Sequence, residues 1–160
     1  MKVLDQIGAI IDRICKHIIV YLLAVITIVL FIQVVARFAF NTGTFWTDEL
    51  ARFSMIWLVF LGAAIATRDR SLINIDILES TFPSWKKGLH IFQLLVSIVF
   101  FALLLKVGWE TMGLVAAQRS PNMGVSMSIV YASIPVAMII SIYFAIVRVF
   151  YKGNSGGENT

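Results

Sequence analysis

The chain has 160 residues, of which 59% are hydrophobic and 14% charged, and its mean hydropathy is +0.90. A soluble domain carries about 25% charged residues, so a soluble helical bundle is the weaker interpretation and this composition requires a lipid bilayer as its solvent. The net charge of +4 comes from scattered lysines and arginines, whereas a nucleic-acid-binding surface gathers them in one stripe.

Four long apolar runs follow one another along the chain, at residues 18–36, 50–67, 89–105 and 127–147, the third continuing to about Trp109. At about 1.5 Å per residue, each run extends roughly 26–32 Å as a helix, which matches a hydrocarbon core of about 30 Å. Spanning β-strands would need only about 10 residues each, with alternating polarity, and the runs do not alternate. We therefore predict an all-α membrane protein with four transmembrane helices.

The N-terminal segment, residues 3–16, has apolar positions at helical spacing among charged and polar ones. We expect the first helix to begin before the membrane and to lie partly in its surface. Basic residues precede the first apolar run, as in a signal peptide, but the run is too long for one and lacks a convincing cleavage site. We predict that it stays as an uncleaved anchor.

The connections between the spans differ in character. The first outer loop ends at Thr47, which suits an N-cap, and two acidic residues follow where the helix dipole favours them. The connection of residues 68–88 has an apolar centre around Asp76, for which we predict a short interfacial helix, because an isolated strand would leave backbone groups unpaired. Residues 153–160 are predicted to be a disordered tail, which leaves residues 1–152 as a single transmembrane domain.

The distribution of basic residues predicts the topology. If both termini are cytoplasmic, the inner segments carry nine lysines and arginines and the outer segments four. The inner residues are Lys2, Arg13, Lys16, Arg68, Arg70, Lys86, Lys87, Arg148 and Lys152, and the outer ones are Arg37, Arg52, Lys106 and Arg119. The positive-inside rule favours this orientation, so we predict that both termini face the cytoplasm.

The spans contain little that could carry chemistry. Their centres lack Asp, Glu, Lys and Arg, whereas a carrier that works alone needs an ionisable group or a broken helix near the midplane. Gln33 and Ser97 are better candidates for helix–helix hydrogen bonds than for substrate ligands. The single Cys15 cannot form an internal disulfide, and no Cys/His set has metal-ligand spacing. The sequence therefore predicts neither an enzyme nor a cofactor.

Two features predict how the helices pack. Gly62, Ala63 and Ala64, with Ala66, form a patch of small residues that allows close approach of another helix. Pro135, inside the fourth span, predicts a packing kink.

The densest polar cluster lies at the start of the second span, at Trp46, Asp48, Glu49 and Arg52. Asp48 and Glu49 precede Arg52 by four and three residues, so both carboxylates can reach one guanidinium on a helix. Trp46 suits the outer membrane interface. Two interpretations stay open: an interfacial anchor with a local ion pair, or a docking surface for a membrane partner or an outer one.

These residues also carry a resemblance to a known family. The motif Trp46-x-x-Glu49-x-x-Arg52, with the run from Trp57 to Ala64 after it, resembles the small, DctQ-like membrane subunit of tripartite ATP-independent periplasmic (TRAP) transporters. The other matching motifs are Ile75-Asp76, Gln118-x-Ser120-Pro121 and Val130-Tyr131-x-x-Ile134-Pro135. The match runs in order from about Arg37 to Pro135. It departs at Ser126-Met127, where the family pattern has Ile-Pro.

The resemblance implies a complex in a bacterial inner membrane. A large membrane subunit would carry the Na⁺ and substrate sites, and a periplasmic substrate-binding protein would deliver an organic acid of the sialic acid or C4-dicarboxylate type. This chain would be a scaffold without a cofactor. The residues implied to be structural or to dock partners are Trp46, Asp48, Glu49, Arg52, Asp76, Gln118, Ser120 and Pro121. The alternative is a self-sufficient four-helix, proton-coupled exporter that acts as a dimer, with Glu49 or Glu110 as its carboxylate.

Overall fold

The structure, a computed structural model, describes residues 2–39, 45–68 and 86–154. Within them the chain forms α1 (Lys2–Ala39), α2 (Phe45–Arg68), α3 (Lys86–Leu114), α4 (Met127–Tyr131) and α5 (Ser133–Asn154). Four stretches are long and apolar enough to cross a membrane. They are Gln6–Ala39, Phe45–Arg68, Phe92–Leu114 and Met127–Val147. The predicted all-α fold with four transmembrane helices is confirmed, and these residues include no β-strand beyond one isolated bridge.

The helices pack approximately in a row. α1 packs on α2, α2 packs on α5, and α3 packs mainly on α5. The central helices therefore bury more residues than the two at the edges. Within an apolar 18-residue window of each spanning stretch, 28% of the residues are buried in α2 and 44% in α4 and α5, against 6% in α1 and 11% in α3. The edge helices turn apolar side chains outward along their length, as expected where lipid or another membrane protein surrounds a helix.

Small side chains let the central helices approach closely. Ala64 on α2 and Ala137 on α5 are both fully buried, and they share a cluster with Phe101 of α3 and Met138. The predicted small-residue patch therefore makes a helix contact at Ala64, whereas a Cβ at Gly62 would meet nothing within 4 Å. Without a hydrophobic driving force between helices in lipid, this close contact is a main source of stability.

Pro135 interrupts the last spanning stretch. Because proline lacks an N–H, the carbonyl of Tyr131 loses its helical partner, and α4 ends there, with a turn at Ala132 before α5 begins. The Ser133 hydroxyl donates to the Val130 carbonyl at 2.8 Å, which satisfies another acceptor at the break. The kink predicted at Pro135 is therefore a short break in the helix.

The contact between α3 and α5 depends on a glycine next to this break. A Cβ at Gly108 would lie 2.7 Å from Cγ2 and 3.0 Å from Cβ of Ile134, and 3.2 Å from Cδ of Pro135. One turn further along α3, the Ser128 hydroxyl of α4 donates to the Met112 carbonyl at 2.7 Å. Gly108 therefore sets how closely the two helices approach.

Of the predictions about the helix starts and the connections, some are confirmed, one is wrong and others stay predictions. α1 is one continuous helix from Lys2, so it begins before the apolar run, as predicted. Its place in the membrane surface and the cytoplasmic position of both termini stay predictions. The expectation that Thr47 caps α2 is wrong, because the aromatic pair Phe45-Trp46 extends the helix and places Thr47 inside it, fully buried. The predicted interfacial segment around Asp76 lies outside the described residues.

The helix ends also differ from those expected. α3 continues past Trp109 to Leu114. It therefore includes Glu110 and also Lys106, which is predicted to lie in an outer segment. α4 begins directly after Ser126, whose hydroxyl donates to the Ala116 carbonyl at 3.3 Å instead of capping the helix. α5 extends to Asn154, and the rest of the predicted tail lies outside the described residues.

Replacing Gly108 with alanine should destabilise the protein, because the new methyl group would overlap Ile134. Overpacking of this kind costs about 1–3 kcal/mol. We expect Gly108→Ala to have a lower Tm than the wild type in detergent, with unfolding measured by tryptophan fluorescence. Gly113→Ala on the same helix is the matched control, since a Cβ there meets nothing within 4 Å and alanine favours helix by up to about 1 kcal/mol. Equal Tm values for both variants would contradict this account of the contact.

Candidate functional site

A carboxylate near the start of α2 joins this helix to the connection between α3 and α4. Glu49 Oε1 accepts hydrogen bonds from the backbone N of Asn122 at 3.2 Å and from its Nδ2 at 2.8 Å. Glu49 Oε2 accepts from the backbone N of Met123 at 3.1 Å and from the Ser120 hydroxyl. Both oxygens of the carboxylate are therefore bound by donors that are distant in sequence.

The connection that supplies these donors, residues 115–126, is called the Glu49 loop below. Gly124, with φ of +65°, donates its N–H to the Ser120 carbonyl at 3.0 Å, and the Ser120 N–H donates to the Val125 carbonyl at 2.9 Å. These bonds close a tight turn that begins at Pro121, whose fixed φ suits that position. The Ser120 hydroxyl also accepts from the Met123 N–H at 3.3 Å. The turn thus directs two adjacent backbone N–H groups at one acceptor, which is a common way to bind a carboxylate.

The base of the loop is held by further bonds. Arg119 forms an antiparallel bridge with Ser126, and the Met127 N–H donates to the Gln118 carbonyl at 3.0 Å. Arg119 Nη1 donates to the Gly124 carbonyl at 3.2 Å. The loop is therefore closed on itself as well as on Glu49.

The structure separates the two carboxylates that the sequence assigns to one guanidinium. Arg52 Nη2 lies 3.1 Å from Asp48 Oδ2, and both side chains are exposed, at 70% and 58%. Glu49 turns to the other side of α2 and binds the Glu49 loop. An exposed pair of this kind contributes little stability, typically 0.2–1 kcal/mol, whereas hydrogen bonds to a charged acceptor are about twice as strong as neutral ones.

The other predicted site residues lie around this contact. Ser120 is 3% exposed and takes part in it directly, whereas Pro121 and Gln118 are exposed on the surface of the loop. Trp46 is half exposed at the end of α2. Asp76 lies outside the described residues.

Three residues that hold this end of the molecule together were not predicted from the sequence. The side chain and N–H of Asn122 and the N–H of Met123 complete the binding of Glu49. Trp57 Nε1 donates to the Ile129 carbonyl at 3.2 Å and so ties α2 to α4. The run Ser120-Pro121-Asn122 was the available signal, because a serine–proline turn followed by asparagine offers several donors close together.

A second polar contact joins three helices at the opposite end of the molecule. Asp12 Oδ2 of α1 lies 2.6 Å from Arg68 Nη1 of α2 and 3.0 Å from Lys16 Nζ. The guanidinium of Arg68 lies 5.7 Å from the ring centroid of Phe144 on α5, within the range of a cation–π contact. Asp12 is only 13% exposed, so this pair is shielded from water far more than Asp48 and Arg52.

Gln33, in the first span, is predicted to form a hydrogen bond with a neighbouring helix. Gln33 Oε1 is buried and has no hydrogen-bond partner among the described residues, so the predicted bond is not seen at this atom. Within the same residues, no group of three or more His, Cys, Asp or Glu side chains is placed to hold a metal ion. The polar contacts between residues distant in sequence join helices to one another and to the Glu49 loop.

Four spanning helices, joined by polar contacts at both ends, define a multi-pass membrane protein with a structural polar framework. Comparison with known proteins identifies its family. The family described as tripartite ATP-independent periplasmic transporters, DctQ component, matches residues 26–152. The chain therefore belongs to the DctQ family of small TRAP permease subunits, which are multi-pass proteins of the bacterial inner membrane.

Its relatives carry the same description. A putative TRAP transporter small permease protein of Haemophilus influenzae is 27% identical over 75% of this chain and 76% of its own length. The sialic acid TRAP transporter small permease protein SiaQ of Vibrio cholerae is 25% identical over 92% of this chain and 86% of its own length. The isethionate TRAP transporter permease protein DctMQ of Oleidesulfovibrio alaskensis is 31% identical over 58% of this chain, which is 15% of that longer protein.

Replacing Glu49 with glutamine should open the Glu49 loop, because an NH₂ group would replace one acceptor oxygen and face donors. We expect Glu49→Gln to lower the Tm in detergent several times more than Asp48→Asn, and to speed protease cleavage within residues 115–126. Asp48→Asn is the matched control, since it removes a neighbouring carboxylate whose exposed partner contributes little. If the two variants lose the same stability, the loop contact is not the important one.

Proposed function

We propose that this chain is the scaffold subunit of a TRAP transporter, and that transport itself takes place in the large membrane subunit. The observation that carries the proposal is the binding of Glu49 by the Glu49 loop, which fixes the start of α2 against the segment between α3 and α4. A carrier that alternates between two states needs one part to move against another. A molecule joined at both ends in this way is suited to stay still while a partner moves.

The alternative of a self-sufficient proton-coupled exporter is not favoured. Such a carrier needs a carboxylate that gains and loses a proton during transport. Both oxygens of Glu49 are occupied by donors from the loop, an arrangement that stabilises the ionised form. Glu110, the other candidate, lies near the end of α3 and away from the middle of its spanning stretch, Phe92–Leu114.

We further propose that the complex takes up an organic acid in a Na⁺-driven reaction that depends on a periplasmic substrate-binding protein. Relatives of this chain carry the names of sialic acid and isethionate, which are both organic anions. A subunit of the same kind is thus found with chemically different substrates. We infer that substrate choice resides in the partners, and that sialic acid and C4-dicarboxylates are the classes to test first.

Reconstitution tests the scaffold role. Vesicles should contain the large subunit with or without this chain, and uptake of a labelled organic acid should be measured with binding protein and a Na⁺ gradient. We expect uptake to require this chain, and to be lost when the Na⁺ gradient is removed. A full rate without the chain would refute the scaffold role, whereas loss of the Na⁺ requirement alone would refute only the proposed driving ion.

We propose that the surface that docks the substrate-binding protein lies at the same end of the molecule as the Glu49 loop. Trp46, Asp48 and Arg52 are exposed on α2, with Gln118 and Pro121 exposed beside them on the loop. On the predicted topology this end faces the outer side, where the substrate-binding protein arrives. An exposed ion pair that contributes little to stability is available for charge recognition, which mainly affects the rate of encounter.

Reversing the charge of Arg52 tests this surface. We expect Arg52→Glu to keep a Tm near that of the wild type, but to require a severalfold higher concentration of binding protein for half-maximal uptake, with a larger difference at low salt. Arg13→Glu, at an exposed position near the opposite end of the molecule, serves as control. An unchanged concentration dependence for Arg52→Glu would remove Arg52 from the surface.

A further inference from the structure

The outward side of α3 carries an ion pair inside a membrane-spanning stretch. Lys106 Nζ lies 3.9 Å from Glu110 Oε1, and the two side chains are 75% and 61% exposed. Both residues belong to the spanning stretch Phe92–Leu114. The distance exceeds that of a hydrogen bond, so each charge keeps most of its capacity to bind another group.

The packing of α3 gives the depth of this pair. Phe101 packs against Ala64 and Ala137, and Ala137 lies midway along the spanning stretch Met127–Val147. Lys106 follows Phe101 by five residues, so its Cα lies about 7.5 Å from the middle of the bundle along the helix. The hydrocarbon layer extends roughly 15 Å to either side of its centre. The backbone of Lys106 therefore lies within the hydrocarbon layer.

The surroundings of the pair are apolar. Val99 and Leu103 precede it on the same side of α3, at 56% and 58% exposure. Together Val99, Leu103, Lys106 and Glu110 form a stripe, called the Lys106 stripe below, which faces away from the Gly108 contact with α5. A lysine that faces lipid at this depth is unfavourable and in membrane proteins most often faces another protein.

We propose that the Lys106 stripe is the surface by which this chain docks a transmembrane helix of the large TRAP subunit. The inference rests on the proposed scaffold function. The helix that fits would place a carboxylate opposite Lys106, a donor opposite Glu110, and apolar side chains opposite Val99 and Leu103. α3 is an edge helix in which 11% of the residues of an apolar 18-residue window are buried. A permease named DctMQ contains a match to this chain within one longer protein.

Two measurements on one variant test the proposal: its stability alone should not fall, whereas its binding to the large subunit should. In the first, Lys106→Met is purified alone in detergent and its Tm is compared with that of the wild type. Removing a charge from a hydrocarbon-facing site should leave the Tm unchanged or raise it. In the second, the variant is co-expressed with a tagged large subunit, and the co-purified amount is measured. Here the loss of a buried charge partner should lower the yield at least about tenfold.

The controls separate docking from other readings. Arg37→Met, which removes an exposed charge from the other edge helix, should co-purify like the wild type, and Glu110→Gln should show a smaller loss than Lys106→Met. Undiminished co-purification of Lys106→Met would overturn the proposal and leave lipid contact, with the lysine reaching toward the headgroups, as the explanation. A dimer of this chain that Lys106→Met abolishes, without any effect on the large subunit, would also overturn it.

Crosslinking gives an independent readout in membranes. In a Cys15→Ser background, Leu103→Cys should crosslink to the large subunit, whereas Gly62→Cys on α2 should not. If the wild-type chain itself fails to co-purify with the large subunit, the scaffold function fails together with this inference. If it co-purifies but Leu103→Cys captures only lipid-facing reagents, the scaffold function stands and the Lys106 stripe is not the docking surface.

Discussion

The structure depends on the way in which one carboxylate is satisfied near the end of a membrane-spanning bundle. Glu49 projects from α2, and the residues that bind it come from a connection about seventy positions later in the chain. An ionised group close to the hydrocarbon is stable only when donors surround it. The Glu49 loop supplies them from a serine hydroxyl, an amide and two backbone N–H groups, and in doing so it fixes where α4 begins relative to α2.

From that point the contacts extend through the bundle in sequence. Trp57 donates to the Ile129 carbonyl on α4, and below it the small residues Ala64, Ala137 and Gly108 bring α2, α5 and α3 together. At the far end, Asp12 and Arg68 join α1 to α2 and meet Phe144 of α5. Polar contacts hold both ends and close packing holds the middle, because lipid provides no hydrophobic force between helices.

This arrangement fits the proposed role of a scaffold beside a moving partner. A row of helices has two edges, and both edge helices expose most of their spanning length. One edge, α1, shows apolar side chains such as Val20 and Phe31 along its middle, and exposed charges such as Arg13 and Arg37 lie near its ends. The other edge, α3, carries the charged pair of the Lys106 stripe. The proposed docking surface on α3 would leave α1 as the edge that lipid covers.

The sequence by itself determined the four spans, the all-α class and the family, because apolar run length and motif order are properties of the chain read locally. It also indicated the polar cluster from Trp46 to Arg52 and the turn at Pro121. Helical spacing allowed Arg52 to pair with Asp48 or Glu49, and it could not choose between them. Only the tertiary structure decided that Asp48 pairs with Arg52 while the loop binds Glu49, and that Asp12 pairs with Arg68. The contacts of Glu49 with the loop and of Asp12 with Arg68 join residues far apart in the chain, so they follow from how the helices pack and leave no periodic signal in the sequence. Once the loop binds Glu49, Asp48 is the carboxylate left to pair with Arg52.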